Sequence, residues 1–389
     1  MKKIATAILA LGASALLLTG CGGSERTPTS PTAEPGATGE APTPTETALP
    51  EGMIQIGSGF DAGAKIGVSL PQKTSENWVL AEGLFTDQLK AAGFDPIVQF
   101  ANGGAPEQQN QISAMIEQGV KLLVVGAVDG SQLGSQLEAA KAAGIPVIAY
   151  DRLLMNTDAV DMYMAYDNFK VGVLQGTALL EGLEKSGKKS PWNIELISGS
   201  PDDANSKPFF EGGMSILQPK IDDGTLKVLS GQVSQQQTST AGWKAAEAQK
   251  RMDAILSANY GGDTALDGVL SPNDTLARAA LTAVKSAGKA NPVITGQDSE
   301  VESVKLVFQG VQYSTIDKDT KNFVTKVVEY IGKIQKGEPV EVNDTKSYNN
   351  GVKVVPSYLL TPVIVTKDNV CTQYAPDTAA GKAAAEVCK

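Results

Sequence analysis

The chain has 389 residues, 42% hydrophobic, 20% charged and 5% aromatic, which suits a globular protein with room for two domains and excludes collagen-like, coiled-coil and wholly disordered chains. Its 33 Lys plus Arg against 43 Asp plus Glu give a formal charge of -10 with no basic cluster, so no nucleic-acid partner is expected. There is no His, which removes the commonest general base, the Ser-His-Asp and Cys-His nucleophile systems and the usual imidazole metal ligand; neither an enzyme nor a metal or other cofactor is expected.

At the N-terminus, Lys2 and Lys3 precede an apolar run from Ile4 to Leu18, and Leu18-Thr19-Gly20-Cys21 closes it. These are the charged, apolar and small-residue parts of an export signal, and the run is short for a membrane span. Leu-Thr-Gly-Cys resembles the bacterial lipobox. That resemblance implies a signal peptide over residues 1–20, cleavage before Cys21 and acyl chains on Cys21, which would hold the mature protein at the outer face of the cell membrane or in the periplasm. Residues 21–52 are then the lipidated Cys and a Pro/Thr-rich tether. From Ser24 to Pro50 there is no aromatic residue, and prolines 28, 31, 35, 42, 44 and 50 keep the segment extended.

After the tether, short Val- and Ile-rich runs alternate with Ala-rich segments of helical length: Lys65 to Leu70, then Val79 to Ala92, then Pro96 to Phe100. Such alternation predicts parallel α/β sheets. Gly93, Gly119, Gly144 and Gly288 stand where helices should stop. The pattern also repeats. Lys141-Ala-Ala-Gly-Ile-Pro-Val-Ile-Ala-Tyr-Asp151 is echoed by Lys285 to Asp298, and Leu122 to Asp129 by Gly268 to Asp274. Two similar lobes follow, and because ligands bind outside the carboxyl ends of parallel strands, Asp129, Asp151, Asn273, Asp274 and Asp298 are expected around one cleft. Nucleotide binding is not expected, since Pro71 to Trp78 follows the first strand in place of a Gly-x-Gly-x-x-Gly turn.

The strand-end groups are polar and planar: Asp151-Arg152, Asn273-Asp274 and Gln297-Asp298. Trp78 and Trp243 lie in polar turn or helix-start sequence, whereas Trp192 reads as packing. The combination suits a monosaccharide, whose hydroxyls both donate and accept hydrogen bonds and whose apolar ring faces stack on indole. Asp202-Asp203 and Asp222-Asp223 are the paired carboxylates a glycosidase would need, but adjacent side chains diverge. Once Cys21 is taken by lipid, Cys371 and Cys388 remain as an even pair in an oxidising location, which predicts a disulfide.

Several stretches together resemble the periplasmic monosaccharide-binding proteins of ABC importers, in the group of ribose-, galactose- and xylose-binding proteins and nearest the multiple-sugar binders of plant-associated bacteria. They are Val147 to Arg152, Asp167 to Gln175, Ser198 to Asp203, Leu270 to Asp274, Val293 to Asp298 and Val342 to Tyr358. The resemblance implies an α/β fold of two similar doubly wound parallel-sheet lobes, the type I periplasmic binding protein, joined by a three-crossover hinge. Crossovers are expected near Tyr166, near Asp317 and between Val340 and Asn350, so that residues 53–166 with 318–345 form the N-terminal lobe and residues 167–317 with 346–389 the C-terminal lobe. The helix from Thr320 to Gln335 would return to the first lobe.

By the same resemblance Trp78 and Trp243 sandwich a sugar ring, Asp151 and Arg152 bind hydroxyls and the ring oxygen, and Asn205, Asn273, Asp298 and Lys318 complete the polar shell, with Glu76 and Asn77 as further contacts. Met53 to Gly63 is a lead-in that departs from the relatives, as does Pro272 before Asn273-Asp274. The function implied is a monomeric, lipid-anchored receptor that captures an aldose such as galactose, glucose, arabinose or xylose and delivers it to an ABC permease. The alternative is a sugar sensor that presents the closed form to a membrane receptor. A DNA-binding regulator would need a helix-turn-helix before Lys65, where the chain has a signal and a tether.

Overall fold

The computed structural model describes residues 49–389. The expected signal peptide, the lipidated Cys21 and most of the tether lie outside the described residues. Two sheets organise the rest. In the first, six strands lie in the order Asp95–Phe100, Lys65–Leu70, Leu122–Val125, Val147–Tyr150, Met162–Tyr166 and Ser357–Leu360, all parallel. Apart from Lys65, the side chains of its four inner strands are buried on both faces, as parallel strands flanked by helices must be. Ile66, Val68, Leu70, Leu122 and Val124 pack with Phe85 and Leu89 of helix Glu76–Ala91 and with Phe323, Val327 and Ile331 of helix Thr320–Gln335. Leu123, Val125, Val147 and Ala149 pack on the other face with Ile112, Met115 and Leu137 of helices Ala105–Glu117 and Gly134–Ala142.

The second sheet repeats this plan in the order Leu226–Val228, Trp192–Leu196, Gly268–Leu270 and Val293–Ile294. Strand Ser314–Asp317 continues it through Tyr313 N to Ile294 O (3.0 Å) and Asp298 N to Ile316 O (2.9 Å), and pairs antiparallel with Val363–Thr366. Each lobe therefore has the same strand order. The echoed segments occupy equivalent strands, and Gly93, Gly119, Gly144 and Gly288 all take the left-handed conformation just past a helix end. Trp192 is packed in the core of the second lobe.

One crossing differs from expectation. Residues 346–360 belong with the first lobe: Ser357–Leu360 pairs with Met162–Tyr166, Tyr348 lies 4.9 Å from Tyr163 between ring centres, and buried Asn350 donates to Leu154 O (3.1 Å) and Thr157 O (2.7 Å). The chain crosses to the second sheet at Thr361-Pro362, between two successive edge strands. The physical reason is the burial of Val355 and of the Asn350 amide, which only the first lobe can satisfy. The lead-in is a short strand, Met53–Ile54, antiparallel to Val340–Glu341, with Ile56 in the first core. Cys371 and Cys388 are juxtaposed with Cα atoms 5.7 Å apart, the spacing a disulfide requires. Among the described residues no helix is long and apolar enough to cross a membrane, and no group of three or more acidic or Cys side chains is arranged to hold a metal.

Candidate functional site

Between the lobes, at the carboxyl ends of the strands, lies a small, mainly polar cavity. Asn77, Trp78, Asp151, Arg152, Asn205, Trp243, Asn273, Asp298 and Lys318 all line it. They come from the connections after six different strands, with Asn77 and Trp78 in the first turn of helix Glu76–Ala91, and from the crossover at Lys318. Folding thus gathers residues from Asn77 to Lys318 because each connection leaves the same edge of its sheet.

Arg152 follows strand Val147–Tyr150. Its Nε is 2.9 Å from Asp203 Oδ2 on the other lobe, its Nη1 donates to Ala127 O at 2.9 Å, and its guanidinium carbon stands 5.3 Å from the Trp78 ring centre. Asp203 Oδ2 also accepts from Trp243 Nε1 at 3.0 Å. Burial raises the Asp203 pKa above the ordinary carboxylate value, and Arg152 offsets this only in part. Asn205 donates to Asp151 O at 2.8 Å and accepts from Tyr163 OH at 3.1 Å and Asn168 Nδ2 at 2.9 Å, a buried network tying the lobes at the first crossover. Lys318 Nζ lies 3.0 Å from Asp298 Oδ1. Burial works to lower the Lys318 pKa, but Asp298, Asp151 and Asp203 together hold it above the ordinary lysine value, so the cation persists in the cleft. Asn273 caps helix Asp274–Ser286 through Leu276 N, at 2.9 Å, and still lines the cavity.

Backbone strain concentrates here. Of five described non-glycine residues with positive φ, Asp151 (62°), Trp243 (55°) and Asp298 (91°) line the cavity. The Trp243 ring reaches its place over Gly199, where a Cβ would come within 2.2 Å of it.

Three expectations are corrected. Glu76 is exposed outside the cavity, and its Oε2 accepts from Val301 N at 2.9 Å, joining the lobes externally. Asp129 folds back on its own turn, accepting from Ser131 N at 2.9 Å and Gln132 Nε2 at 2.5 Å. Asp274 is fully buried behind the cleft, accepting from Gln312 Nε2 and Thr315 Oγ1, both at 2.8 Å. In turn, Thr74, Ser75, Asp203, Phe209 and Gln297 line the cavity without having been singled out as contacts. Gln297 was legible as the neighbour of Asp298 at a strand end, and Phe209 as one helical turn beyond Asn205. The Gln297 Oε1 is buried with no hydrogen-bond partner.

Residues 66–339 match the family model for the periplasmic binding protein domain. The chain belongs to the periplasmic binding protein family. It is 46% identical over 309 residues to the multiple sugar-binding periplasmic receptor ChvE of Rhizobium radiobacter, covering 78% of this chain and 87% of that one. It is 43% identical, over 78% of this chain and 86% of the other, to the multiple sugar-binding periplasmic protein SbpA of Azospirillum brasilense. An ABC transporter solute-binding protein from Clostridium phytofermentans, solved with bound β-D-glucose, superposes with a TM-score of 0.77 at 40% identity, over 80% of this chain and 99% of that one. The first of these relatives is a receptor by name, all three are binding proteins by name, and none of them is named as an enzyme. Periplasmic binding proteins are exported.

Proposed function

We propose that the protein captures an aldose between its two lobes and delivers it to an ABC permease, from a lipid anchor on Cys21 at the outer face of the membrane. The observation that carries the reading is the cavity itself: charge-paired, lined from both lobes, flanked by Trp78 and Trp243, and bordered by Gln297, whose Oε1 is buried with no hydrogen-bond partner among the described residues. Relatives at 40% identity and above that are sugar-binding by name or hold glucose support it.

In this reading the two indoles cover the apolar ring faces. Asp151, Asn205, Asn273 and Asp298 exchange hydrogen bonds with hydroxyls, Arg152 and Lys318 donate, and Asn77 closes the mouth. Contacts from both lobes favour the closed form by differential affinity, and the closed form is what the permease distinguishes. The Cys371–Cys388 pair is a disulfide in the exported protein.

Tryptophan fluorescence of the protein, titrated with aldoses, sugar acids and amino acids, tests the ligand class. Saturation by one or more aldoses, abolished in Trp243→Ala, is expected. A response to amino acids with none to sugars would overturn the assignment. Incorporation of labelled palmitate, lost in Cys21→Ser, tests the anchor.

A further inference from the structure

Beyond the last strand, the C-terminal segment lies against the second lobe. Its helix Ala379–Val387 packs Ala383 and Ala384 on Val304 and Val307 of helix Val301–Gln309, Lys305 pairs with Glu386 at 2.8 Å, and Cys371 meets Cys388 at the segment's two ends. Two consecutive residues of the segment reach toward the cleft. Gln373 Nε2 donates to Asp317 Oδ2 at 3.1 Å, and Asp317 immediately precedes Lys318. Tyr374 OH bonds Ser299 Oγ at 2.9 Å, and Ser299 immediately follows Asp298. Both members of the ion pair in the cleft are thus held from behind, each through its chain neighbour, by adjacent side chains of one appendage.

The backbone gives this support something to do. Asp298 and Ser299 are consecutive residues at positive φ, 91° and 50°, a conformation that side-chain-bearing residues keep only where their surroundings over-determine it. Tyr374 supplies one such constraint, and Ser299 N to Thr315 Oγ1, at 3.2 Å, supplies another. On the other side, Asp317 is the last residue of its strand before the chain crosses to helix Thr320–Gln335, so the Gln373 bond fixes the point from which Lys318 projects.

We infer that Gln373 and Tyr374 are positioning residues for the Asp298–Lys318 pair, and that the C-terminal segment sets the affinity of the cavity without touching its ligand. The inference rests on the sugar-binding reading for its effect on affinity, but not for its effect on the pair. A carboxylate and an ammonium held in register make short charge-assisted bonds with a hydroxyl, and loosening either one forfeits them.

The test compares the wild type with Tyr374→Phe, which keeps the ring and removes the hydroxyl, with Gln373→Ala, and with the double variant. Lys305→Ala loosens the same appendage away from the cleft and serves as the control. The first readout needs no ligand: the 13Cε signal of Lys318, assigned by its loss in Lys318→Arg, is expected to move in the double variant and to stay in Lys305→Ala. The second is calorimetric titration with D-glucose, where the double variant is expected to bind at least tenfold more weakly while Lys305→Ala binds as the wild type does. An unmoved Lys318 signal in the double variant, or an equal change in Lys305→Ala, would overturn the inference. If the wild type binds neither D-glucose nor any other aldose, the sugar reading falls, and the Lys318 signal alone decides whether the segment positions the pair.

Discussion

Arg152 and Asp203 meet across the cleft, the Nε of one lobe 2.9 Å from the Oδ2 of the other, and both side chains are almost wholly buried. The same Oδ2 holds the Trp243 indole. One carboxylate therefore aligns a cation from the first lobe and an aromatic plane from the second, and it does so only when the lobes are together.

Removing that carboxylate unpairs a buried guanidinium and frees an indole at once. Asp203→Asn should weaken aldose binding at least tenfold, since hydrogen bonds to charged groups contribute about 1.5 to 3 kcal/mol. Asp203→Ala should cost more, because a buried ion left without its partner is strongly unfavourable. Isothermal titration of both variants measures the difference, and wild-type affinity in Asp203→Ala would remove Asp203 from the site.

The three tryptophans should separate by role. Trp78 and Trp243 line the cavity and Trp192 lies in the core of the second lobe. Binding-induced fluorescence change should survive Trp192→Phe, shrink in Trp78→Ala and vanish in Trp243→Ala. A signal that disappears only with Trp192 would show that it reports lobe packing rather than ligand.

Stability should carry a pH signature from the buried carboxylates behind the cleft. Burial, ahead of the Asp298 charge, raises the Glu300 pKa despite Arg278, and Asp274 beside it is raised well above the ordinary value by burial and by Glu300. A raised folded-state pKa means the folded chain takes up protons before the unfolded one, so this contribution is full below the ordinary carboxylate pKa and is lost as pH rises through the raised values. The melting temperature of the wild type relative to Glu300→Gln should therefore climb as pH falls from neutral toward the ordinary Glu value. A flat or opposite trend in paired melting curves would contradict the assignment.

Helix Ser206–Asp222, which carries Phe209 of the cleft, touches helix Asn168–Lys185 backbone to backbone. A Cβ on Gly172 would come 2.1 Å from Phe209 O, and one on Gly212 would come 2.2 Å from Phe169 O. Helix Ser206–Asp222 bears Phe209 and follows Asn205, so prising it from helix Asn168–Lys185 would displace the cavity wall. Gly212→Ala should cost about 1 to 3 kcal/mol, the usual penalty for overpacking, and should weaken ligand binding as well. Urea unfolding with a parallel titration reads both.

The lobes were legible because their signals are local. Short Val- and Ile-rich runs and glycine stops mark strands and helix ends wherever they occur, and helix Thr320–Gln335 forms over the expected limits. Nine of the ten residues expected at the site line the cavity: Asp151, Arg152 and Lys318 stand one or two places past their strands, and the others lie on the longer connections that leave the carboxyl ends of the strands. Glu76 does not, because the first turn of a helix points successive side chains in different directions, and Trp78 rather than Glu76 faces inward. Asp203 was visible as one of an adjacent acidic pair, but its burial against Arg152 depends on the other lobe, and nothing in the neighbouring residues announces it.

The sequence by itself determined the alternation of strands and helices, the duplication of the lobe and the absence of imidazole chemistry, all of which are properties of composition and short-range order. Only the tertiary structure decided which lobe takes residues 346–360, which carboxylates face the cleft and which support it, and that the last residues of the chain brace the Asp298–Lys318 pair. Those outcomes depend on burial and hydrogen-bond partners far apart in the chain. The free energy that selects them exists only once both lobes have formed.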